Sequence, residues 1–413
     1  MGYFKDTMRG IGWMGTLRGV TRGLALIKTA VLARVLLPAQ FGIYGIATLV
    51  LGLLEMMTET GINIFLIQEK KKIDEYVDSA WVVAIIRGIL IGLIIFLSIP
   101  IVTRFFATPG AKSILILISF VPVIRGFINP ACVKFQKNLQ FNKQFSYDSV
   151  IFLIDTVVAV SLGILTKNEN SIIWGMIVAG IFEVFLSFAI FSPKPKFRLM
   201  KEKVARVLER GKWITGAGIF NYLFQNLDDI FVGRILGTAS LGIYQQAYRI
   251  STLPVSEVGE VFNKVTFPVF VSMEGENSGE AGRKRLKKAF LRTLLIISLL
   301  VIPFGFAVFY FPYAIINLIL GEKWLSAVPV LQILAIFGVV KAIFNSFFSL
   351  FLGIGKQEIV TFSTFVSTVV MAAAIYPFIQ IFGILGAGFA AILATIVSFP
   401  ILIFYFFKYF NGR

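Results

Sequence analysis

The sequence contains no histidine, a single cysteine and few charged residues for its length. Its 413 residues include 39 lysines and arginines and 22 aspartates and glutamates, so only 15% of the chain is charged. Without histidine the chain lacks the commonest general base, proton shuttle and metal ligand. Cys132 cannot form a disulfide within the chain, and it is expected to be a small packed residue at a helix end. No Walker motif occurs, so the sequence predicts no ATPase activity.

Hydrophobic residues, in contrast, make up 57% of the chain, and its mean hydropathy is +0.85. A soluble domain keeps a largely polar surface, whereas runs such as ILIGLIIFLSIPIV are typical of helices that cross a bilayer. We therefore predict an all-α polytopic membrane protein with about 12 transmembrane helices. The predicted spans are 12–34, 41–66, 79–103, 113–132, 145–165, 171–192, 213–233, 241–270, 289–311, 325–352, 357–379 and 383–407.

The distribution of lysine and arginine predicts the orientation of these spans. Alternate connecting segments, counted with both termini, hold 24 of them, and the other segments hold six. Because cytoplasmic loops are rich in lysine and arginine, both termini are predicted to be cytoplasmic. The same loops explain the sequence pI of about 9.9, which therefore does not indicate a nucleic-acid partner.

A short repeat links the two halves of the chain. RVLLPAQFGIYGIA (34–47) and RILGTASLGIYQQA (234–247) share seven of fourteen positions, each at the junction of the first and second spans of a half. Six spans precede the connection and six follow it, which predicts parallel lobes related by a pseudo-twofold axis around a central cavity. Gly42, Ile43 and Tyr44 are expected to build the tight outer turn, and Arg34 to anchor it at the membrane surface.

The predicted domains are an N-terminal six-helix lobe (1–192), a cytoplasmic linker (193–212) and a C-terminal six-helix lobe (213–413). Within the linker, apolar residues recur at helical intervals among cations, which predicts an amphipathic helix on the anionic inner leaflet. A second basic run, RKRLKK (283–288), lies on the same predicted side. We interpret both as solvated or lipid-facing charge, with partner proteins as the alternative.

Nine cations fall inside the predicted spans, and exposing all of them to lipid would cost on the order of 20–30 kcal/mol. They must therefore face a cavity, pair with acids or reach the membrane surface. Two of the nine lie near cytoplasmic span ends and are set aside. The nine are Arg18, Arg22, Lys28, Arg87, Arg125, Arg249, Lys264, Arg292 and Lys341, and Lys264 and Arg292 are the two set aside.

Arg18 and Arg22 lie four residues apart on one face of the first span. Their depths match those of Glu59 and Glu55 on the second span, which allows two ion pairs if these helices are antiparallel neighbours. The alternative is an arginine pair that binds an anionic substrate such as a diphosphate, with the glutamates as competitors or proton acceptors.

Asp228 and Asp229 allow three interpretations. The repeat places Lys28 and Asp228 at matching depths, which would suit an outer gate, whereas Arg249 is an alternative partner for Asp228 within its own lobe. The adjacent aspartates also resemble the acidic pair of a metal-dependent glycosyltransferase. They lie inside a span with no soluble catalytic domain around them, so we predict no enzyme activity, no metal site and no cofactor.

The segments RGIGWMGTLRGVTRGLALIKTAVLARVLLPAQFGIYGIA (9–47), FQKNLQFNKQFSYD (135–148) and NYLFQNLDDIFVGRILGTASLGIYQQAYRI (221–250) carry a family resemblance. In order and spacing they resemble the polysaccharide transporter family of the multidrug/oligosaccharidyl-lipid/polysaccharide exporter superfamily. The resemblance implies a flippase that moves polyprenyl-pyrophosphate-linked oligosaccharide across a bacterial or archaeal cytoplasmic membrane by alternating access. The embedded cations expected to bind the pyrophosphate are Arg18, Arg22, Lys28, Arg87, Arg125, Arg249 and Lys341.

The implied partners are the lipid-linked glycan, membrane lipid, H⁺ or Na⁺, and polysaccharide polymerase machinery as a further candidate. Embedded carboxylates are where a coupling ion or a gate would act, because buried acids respond to neighbouring charge. The candidates are Glu55, Glu59, Asp155, Glu183, Asp228 and Asp229. A multidrug exporter of the same superfamily is the leading alternative, since cationic drugs would bind embedded acids. A membrane scaffold or channel subunit is the other.

Overall fold

The computed structural model describes residues 2–58, 74, 76–138, 140–198, 222, 223, 225–252, 255, 266, 270 and 280–411. Within these residues every regular element is helical. The chain forms two compact units, Met1–Asn226 with Gly237–Ala239 and Leu227–Leu236 with Ser240–Arg413. The predicted all-α polytopic membrane fold is confirmed.

The first unit contains seven described helices and one short 3₁₀ helix. Pro100 and Pro122 lie inside two of the long helices without ending them. The helices are α1 (Gly2–Val35), α2 (Pro38–Met57), α3 (Val77–Phe105), α4 (Ala111–Gly126), the 3₁₀ helix Pro130–Val133, α5 (Lys134–Lys137), α6 (Phe141–Thr166) and α7 (Asn170–Ile190).

The second unit begins with the helical residues 227–236 and 240–252 and continues through five further described α-helices. Gly321, with φ of +95°, precedes a 3₁₀ helix that leads directly into a long α-helix. The helices of this unit are α8 (Glu280–Tyr310), α9 (Pro312–Ile319), the 3₁₀ helix Glu322–Ala327, α10 (Val328–Gly353), α11 (Gln357–Phe382) and α12 (Ile384–Asn411).

Eight described helices are long and apolar enough to cross a membrane, and the bent pair Ala111–Gly126 with Pro130–Lys137 raises the number to nine. The first of the twelve predicted spans lies in α1, which carries six lysines and arginines and is not among these eight. The seventh and eighth predicted spans lie partly outside the described residues, as does most of the predicted amphipathic linker helix. Residues 193–198 of that linker are not helical.

The turn between α1 and α2 is built differently from the sequence expectation. Gly42, Ile43 and Tyr44 were expected to form it, but they lie inside α2, and the chain reverses at Leu36 and Leu37. Pro38 occupies the first turn of α2, where its missing N–H costs nothing because that group has no partner within a helix.

Gln40 fastens this turn to the turn between α6 and α7. Its Oε1 accepts a hydrogen bond from the Leu37 N–H at 2.8 Å. Its Nε2 donates to the Lys167 carbonyl at 3.0 Å and to Glu169 Oε2 at 2.9 Å. We name this set of hydrogen bonds the Gln40 clip. It joins the ends of two helical hairpins of the first unit.

Close approach of α3 and α4 depends on glycine. A Cβ added to Gly88 would lie 2.3 Å from the Pro122 carbonyl oxygen, and one added to Gly126 would lie 2.8 Å from that of Ala84. In lipid, where apolar burial gives little force between helices, such close packing is a main source of association. A shared apolar core of α2, α3, α4 and α7 extends from this contact and includes Ile91, Ile114 and Ile173.

The neighbours of α1 also differ from the expectation. We predicted α1 and α2 as the antiparallel pair, but α6 is the helix that packs along α1, while α2 packs on α4. In the second unit α8, α10 and α12 surround an aromatic core that contains Phe290, Phe347 and Phe406.

Candidate functional site

Lys28 of α1 and Asp155 of α6 form an ion pair within the first unit. Lys28 Nζ donates to Asp155 Oδ1 at 2.9 Å and to Oδ2 at 2.7 Å. Their side chains are only 15% and 16% exposed. Two opposite charges in direct contact cancel much of the cost of placing either one inside a membrane span.

The helices leave room for this pair because Gly175 of α7 has no side chain. A Cβ at that position would lie 2.7 Å from Asp155 Oδ1 and 2.6 Å from the Asp155 carbonyl oxygen. Lys28 was predicted to bind substrate or to close a gate with Asp228, and Asp155 to couple an ion. The structure brings Lys28 and Asp155 together, and the gate with Asp228 stays a prediction.

The predicted pairs between α1 and α2 are only partly described. The Arg22 side chain is exposed on α1, and that of Glu55 is half-buried on α2. The Arg18 side chain and Glu59 lie outside the described residues. The substrate role proposed for Arg18 and Arg22 and the alternative of ion pairs with Glu59 and Glu55 therefore both stay predictions.

Arg87 of α3 binds the end of α2. Its guanidinium donates to the Glu55 carbonyl oxygen at 2.7 Å and to Thr58 Oγ1 at 3.2 Å. The last carbonyls of a helix lack partners within it, and a cation there also interacts well with the helix dipole. Arg87, predicted to bind substrate, thus fixes the end of α2 against α3.

Arg125 and Glu183 lie on packed helices, α4 and α7, and their opposite charges interact. Arg125 is exposed and stands in the last turn of α4, whereas Glu183 is half-buried. Asp148 of α6 adds a second negative charge near Glu183. The substrate role predicted for Arg125 and the coupling role predicted for Glu183 both stay predictions.

The second unit holds Asp228 through a tyrosine. Tyr244 Oη donates to Asp228 Oδ2 at 2.8 Å, and Gln245 Nε2 donates to Asp229 Oδ2 at 3.0 Å. Sixteen residues of continuous α-helix would span about 24 Å, so the 225–252 segment must fold back between these partners. Gly237, with φ of +82°, supplies a backbone conformation that residues with side chains rarely adopt.

Lys341 of α10 is held by aromatic groups. Its Nζ donates to Tyr248 Oη at 2.8 Å and lies 5.5 Å and 5.3 Å from the ring centroids of Tyr248 and Phe337. Among the described residues it has no carboxylate within ion-pair distance. Lysine has three N–H donors, so this ammonium keeps hydrogen-bonding capacity for an anionic ligand.

The rings of Tyr244 and Tyr248 lie 6.3 Å apart and connect the two groups of charges. We name Asp228, Asp229, Tyr244, Tyr248 and Lys341 the tyrosine-linked network. Arg249, which is exposed, interacts electrostatically with Asp229, and its predicted pairing with Asp228 stays a prediction. In the described part of the chain no three cysteine, aspartate or glutamate side chains are grouped as metal ligands.

Sequence reasoning missed Tyr244, Gln245 and Tyr248 as functional candidates. Tyr244 was noted only for its place in the repeat, where it was expected to anchor a turn at the membrane surface. It is instead fully buried. A signal was present, because Asp228 and Tyr244 lie at similar distances from the break at Gly237.

Comparison with known proteins gives one family match. The family described as "Polysaccharide biosynthesis protein" matches residues 31–329. Lipopolysaccharide biosynthesis protein WzxC of Escherichia coli is 24% identical over 404 residues, which cover 95% of this chain and 79% of WzxC. Teichuronic acid biosynthesis protein TuaB of Bacillus subtilis is 23% identical over 363 residues, covering 84% and 71% of the two chains.

Solved structures share the fold at lower sequence identity. The lipid II flippase MurJ in an inward closed conformation matches with a TM-score of 0.76 and 14% identity, covering 95% of this chain and 86% of MurJ. An inward-facing multidrug resistance MATE family transporter of the MOP superfamily matches with a TM-score of 0.66 and 15% identity, covering 93% and 94%. The fold is therefore common to proteins with different named substrates.

Proposed function

Because the chain belongs to the polysaccharide biosynthesis protein family, we propose that it is a flippase for lipid-linked sugar. It moves polyprenyl-pyrophosphate-linked oligosaccharide from the inner to the outer leaflet by alternating access, for assembly of surface polysaccharide. The names of WzxC, TuaB and MurJ support this assignment. The activity is transport, with no covalent chemistry on the substrate.

Lys341 is the observation on which the proposed substrate class depends. An ammonium inside a span is costly, and here a tyrosine hydroxyl and two rings hold it, while no carboxylate of the described residues is in direct contact with it. A pyrophosphate would supply a negative charge in direct contact and accept the remaining N–H donors. A cationic drug would be repelled by the same group.

The test is flipping of a polyprenyl-pyrophosphate oligosaccharide in proteoliposomes. Lys341→Gln keeps a donor on a slightly shorter side chain but removes the charge, and we expect the flipping rate at low substrate to fall about 30-fold, the value of one hydrogen bond to a charged group. Lys112→Gln, which removes an exposed lysine at the start of α4, serves as the charge-matched control and should transport normally.

A multidrug exporter is the alternative that the same assay separates. The buried Asp228 and Asp229 favour it, because acids inside a transporter suit cationic drugs. Efflux of a cationic dye by the wild type, without flipping of the lipid-linked substrate, would contradict the flippase. So would full flipping activity of Lys341→Gln.

We further propose that the membrane potential drives flipping. Two negative charges leaving a negative cytoplasm gain about 4–5 kcal/mol per 100 mV if both cross the whole field. H⁺ or Na⁺ binding at Asp228 and Asp229 would modify this drive during the return step. Clamping the potential to zero with potassium and valinomycin should slow flipping. If the flipping rate does not change with the potential, the pH gradient or the sodium gradient, substrate concentration is the only driving force.

The proposed direction requires both termini in the cytoplasm of a bacterial or archaeal cell. The lysine and arginine asymmetry between connecting segments supports this orientation. In a Cys132→Ser background, cysteine at position 112 should react with an impermeant maleimide in intact cells, and cysteine at position 194 should not. The reverse labelling pattern would show that the protein has the opposite orientation in the membrane.

A further inference from the structure

The tyrosine-linked network places a carboxylate and an ammonium near each other without direct contact. Asp228 accepts a hydrogen bond from Tyr244 at 2.8 Å, and Lys341 donates one to Tyr248 at 2.8 Å. The centroids of the two tyrosine rings are 6.3 Å apart. Asp228 and Lys341 therefore interact electrostatically across the tyrosines.

Close packing of α10 on the helical residues 240–252 sets the separation of these charges. A Cβ added to Gly338 would lie 3.2 Å from the Ser251 carbonyl oxygen, so the two helices approach closely about one turn before Lys341. Asp228 is only 7% exposed, and a charge that little water reaches is weakly screened. The electric field of Asp228 at Lys341 is thus a fixed property of the second unit.

The charges at this site balance among the described residues. Asp228 and Asp229 carry two negative charges, while Lys341 and Arg249, which interacts with Asp229, carry two positive charges. A pyrophosphate bound at Lys341 would add negative charge, and Asp228 would repel it. The other polar side chains that contact these groups are neutral, namely Tyr244, Gln245 and Tyr248.

We propose that Asp228 weakens the binding of pyrophosphate at Lys341, and that loss of the Asp228 charge tightens this binding. The inference rests on the proposed function, because it concerns the same pyrophosphate site. Repulsion by Asp228 lowers the affinity for the anion and favours its release. A proton or Na⁺ bound at Asp228 during the return step removes the repulsion and prepares Lys341 for the next substrate.

The test measures binding of farnesyl pyrophosphate to the purified full-length protein by isothermal titration calorimetry. Asp228→Asn removes the charge but keeps a side-chain oxygen for Tyr244, and we expect it to bind about tenfold more tightly than wild type, a usual size for coupling between two sites. Asp228→Glu keeps the charge and should bind like wild type. Glu358→Gln removes a 68% exposed carboxylate from the same unit and is the matched control, with unchanged affinity.

Two further measurements separate an effect of charge from an effect of structure. Farnesol has the same apolar tail without the pyrophosphate, so wild type and Asp228→Asn should bind it equally. In proteoliposomes, Asp228→Asn should reach half of its maximal flipping rate at a lower concentration of lipid-linked substrate than wild type. If Asp228→Asn does not fold, Asp229→Asn serves the same test, with a smaller gain in affinity because Arg249 already interacts with Asp229.

The outcomes distinguish this proposal from the proposed function. Equal affinity of wild type and Asp228→Asn for farnesyl pyrophosphate, together with loss of binding in Lys341→Gln, overturns the repulsion and leaves the flippase assignment standing. A matching gain in affinity for farnesol also overturns it, because the change would then not depend on charge. If Lys341→Gln and wild type bind farnesyl pyrophosphate equally, the anion site itself is wrong, and the proposed function loses its support.

Discussion

Lys28 and Asp228 occupy the same position in the two halves of the chain, 200 residues apart, but they carry opposite charges and are neutralised in different ways. In the first unit the lysine contacts its carboxylate directly through two hydrogen bonds. In the second unit the carboxylate binds one tyrosine and the lysine binds another. In a direct ion pair each charge neutralises the other. When tyrosines separate the lysine from the carboxylate, each charge can still respond to a ligand.

The repeated tyrosines show the same difference. Tyr44 is half-buried against an apolar core, while Tyr244 is fully buried and donates to Asp228. The repeat therefore preserves a helix position without preserving its interactions. We therefore propose a structural role for the charged pair of the first unit and a ligand-responsive role for the network of the second.

The largest expected effect comes from breaking the direct pair. Lys28→Ala leaves Asp155 mostly buried without its partner, and we expect the free energy of unfolding to fall by about 3 kcal/mol. Unfolding in detergent, followed by loss of the monomeric peak in size-exclusion chromatography, measures it. The swap Lys28→Asp/Asp155→Lys should recover most of the loss. Wild-type stability combined with lost transport would instead support the substrate role predicted for Lys28.

A smaller effect should separate the two repeated tyrosines. Tyr244→Phe removes the hydroxyl that binds Asp228, and we expect a loss of about 2 kcal/mol, as for a hydrogen bond to a charged group. Tyr44→Phe is the control at the equivalent position, with an expected change below about 0.5 kcal/mol. Equal losses in the same unfolding assay would show that the repeat carries the same interaction in both halves.

The smallest effect concerns the aromatic support of Lys341. Phe337→Leu removes one of its two rings, and we expect flipping to fall about threefold, the value of a single cation–π contact. Phe362→Leu on the exposed face of α11 is the matched control and should leave transport unchanged. A loss as large as that of Lys341→Gln would mean that Phe337 acts through packing and not through the cation.

Much of the fold could be predicted from the sequence because apolar runs report the length and number of helices directly. The charged residues inside the membrane could also be identified, since each interrupts an apolar run. The side chains that they contact could not be predicted. Depth along a helix follows from residue counts, but the identity of the neighbouring helix does not, so the contact of Lys28 with Asp155 was not predicted.

The roles of Arg87 and Tyr244 were hidden for a related reason. Arg87 binds a backbone carbonyl, and any residue can offer one, so no side-chain pattern marks the partner. Tyr244 is as apolar as it is polar, and the sequence alone does not show whether its hydroxyl reaches a headgroup or a buried carboxylate. In both cases the three-dimensional neighbour decides the function of the side chain.

The Gln40 clip and the Lys28–Asp155 pair also have a mechanical consequence for α1. A helix held at one position can still rotate about its own axis, whereas contacts at two levels prevent this rotation. The Lys28–Asp155 pair holds α1 itself and the Gln40 clip holds the turn that follows it, so together they fix this end of α1 against the hairpin of α6 and α7. Further towards the start of α1, Gly19 and Gly23 have no neighbouring atom within 4 Å of an added Cβ, so close contact with another helix does not constrain α1 at these two positions.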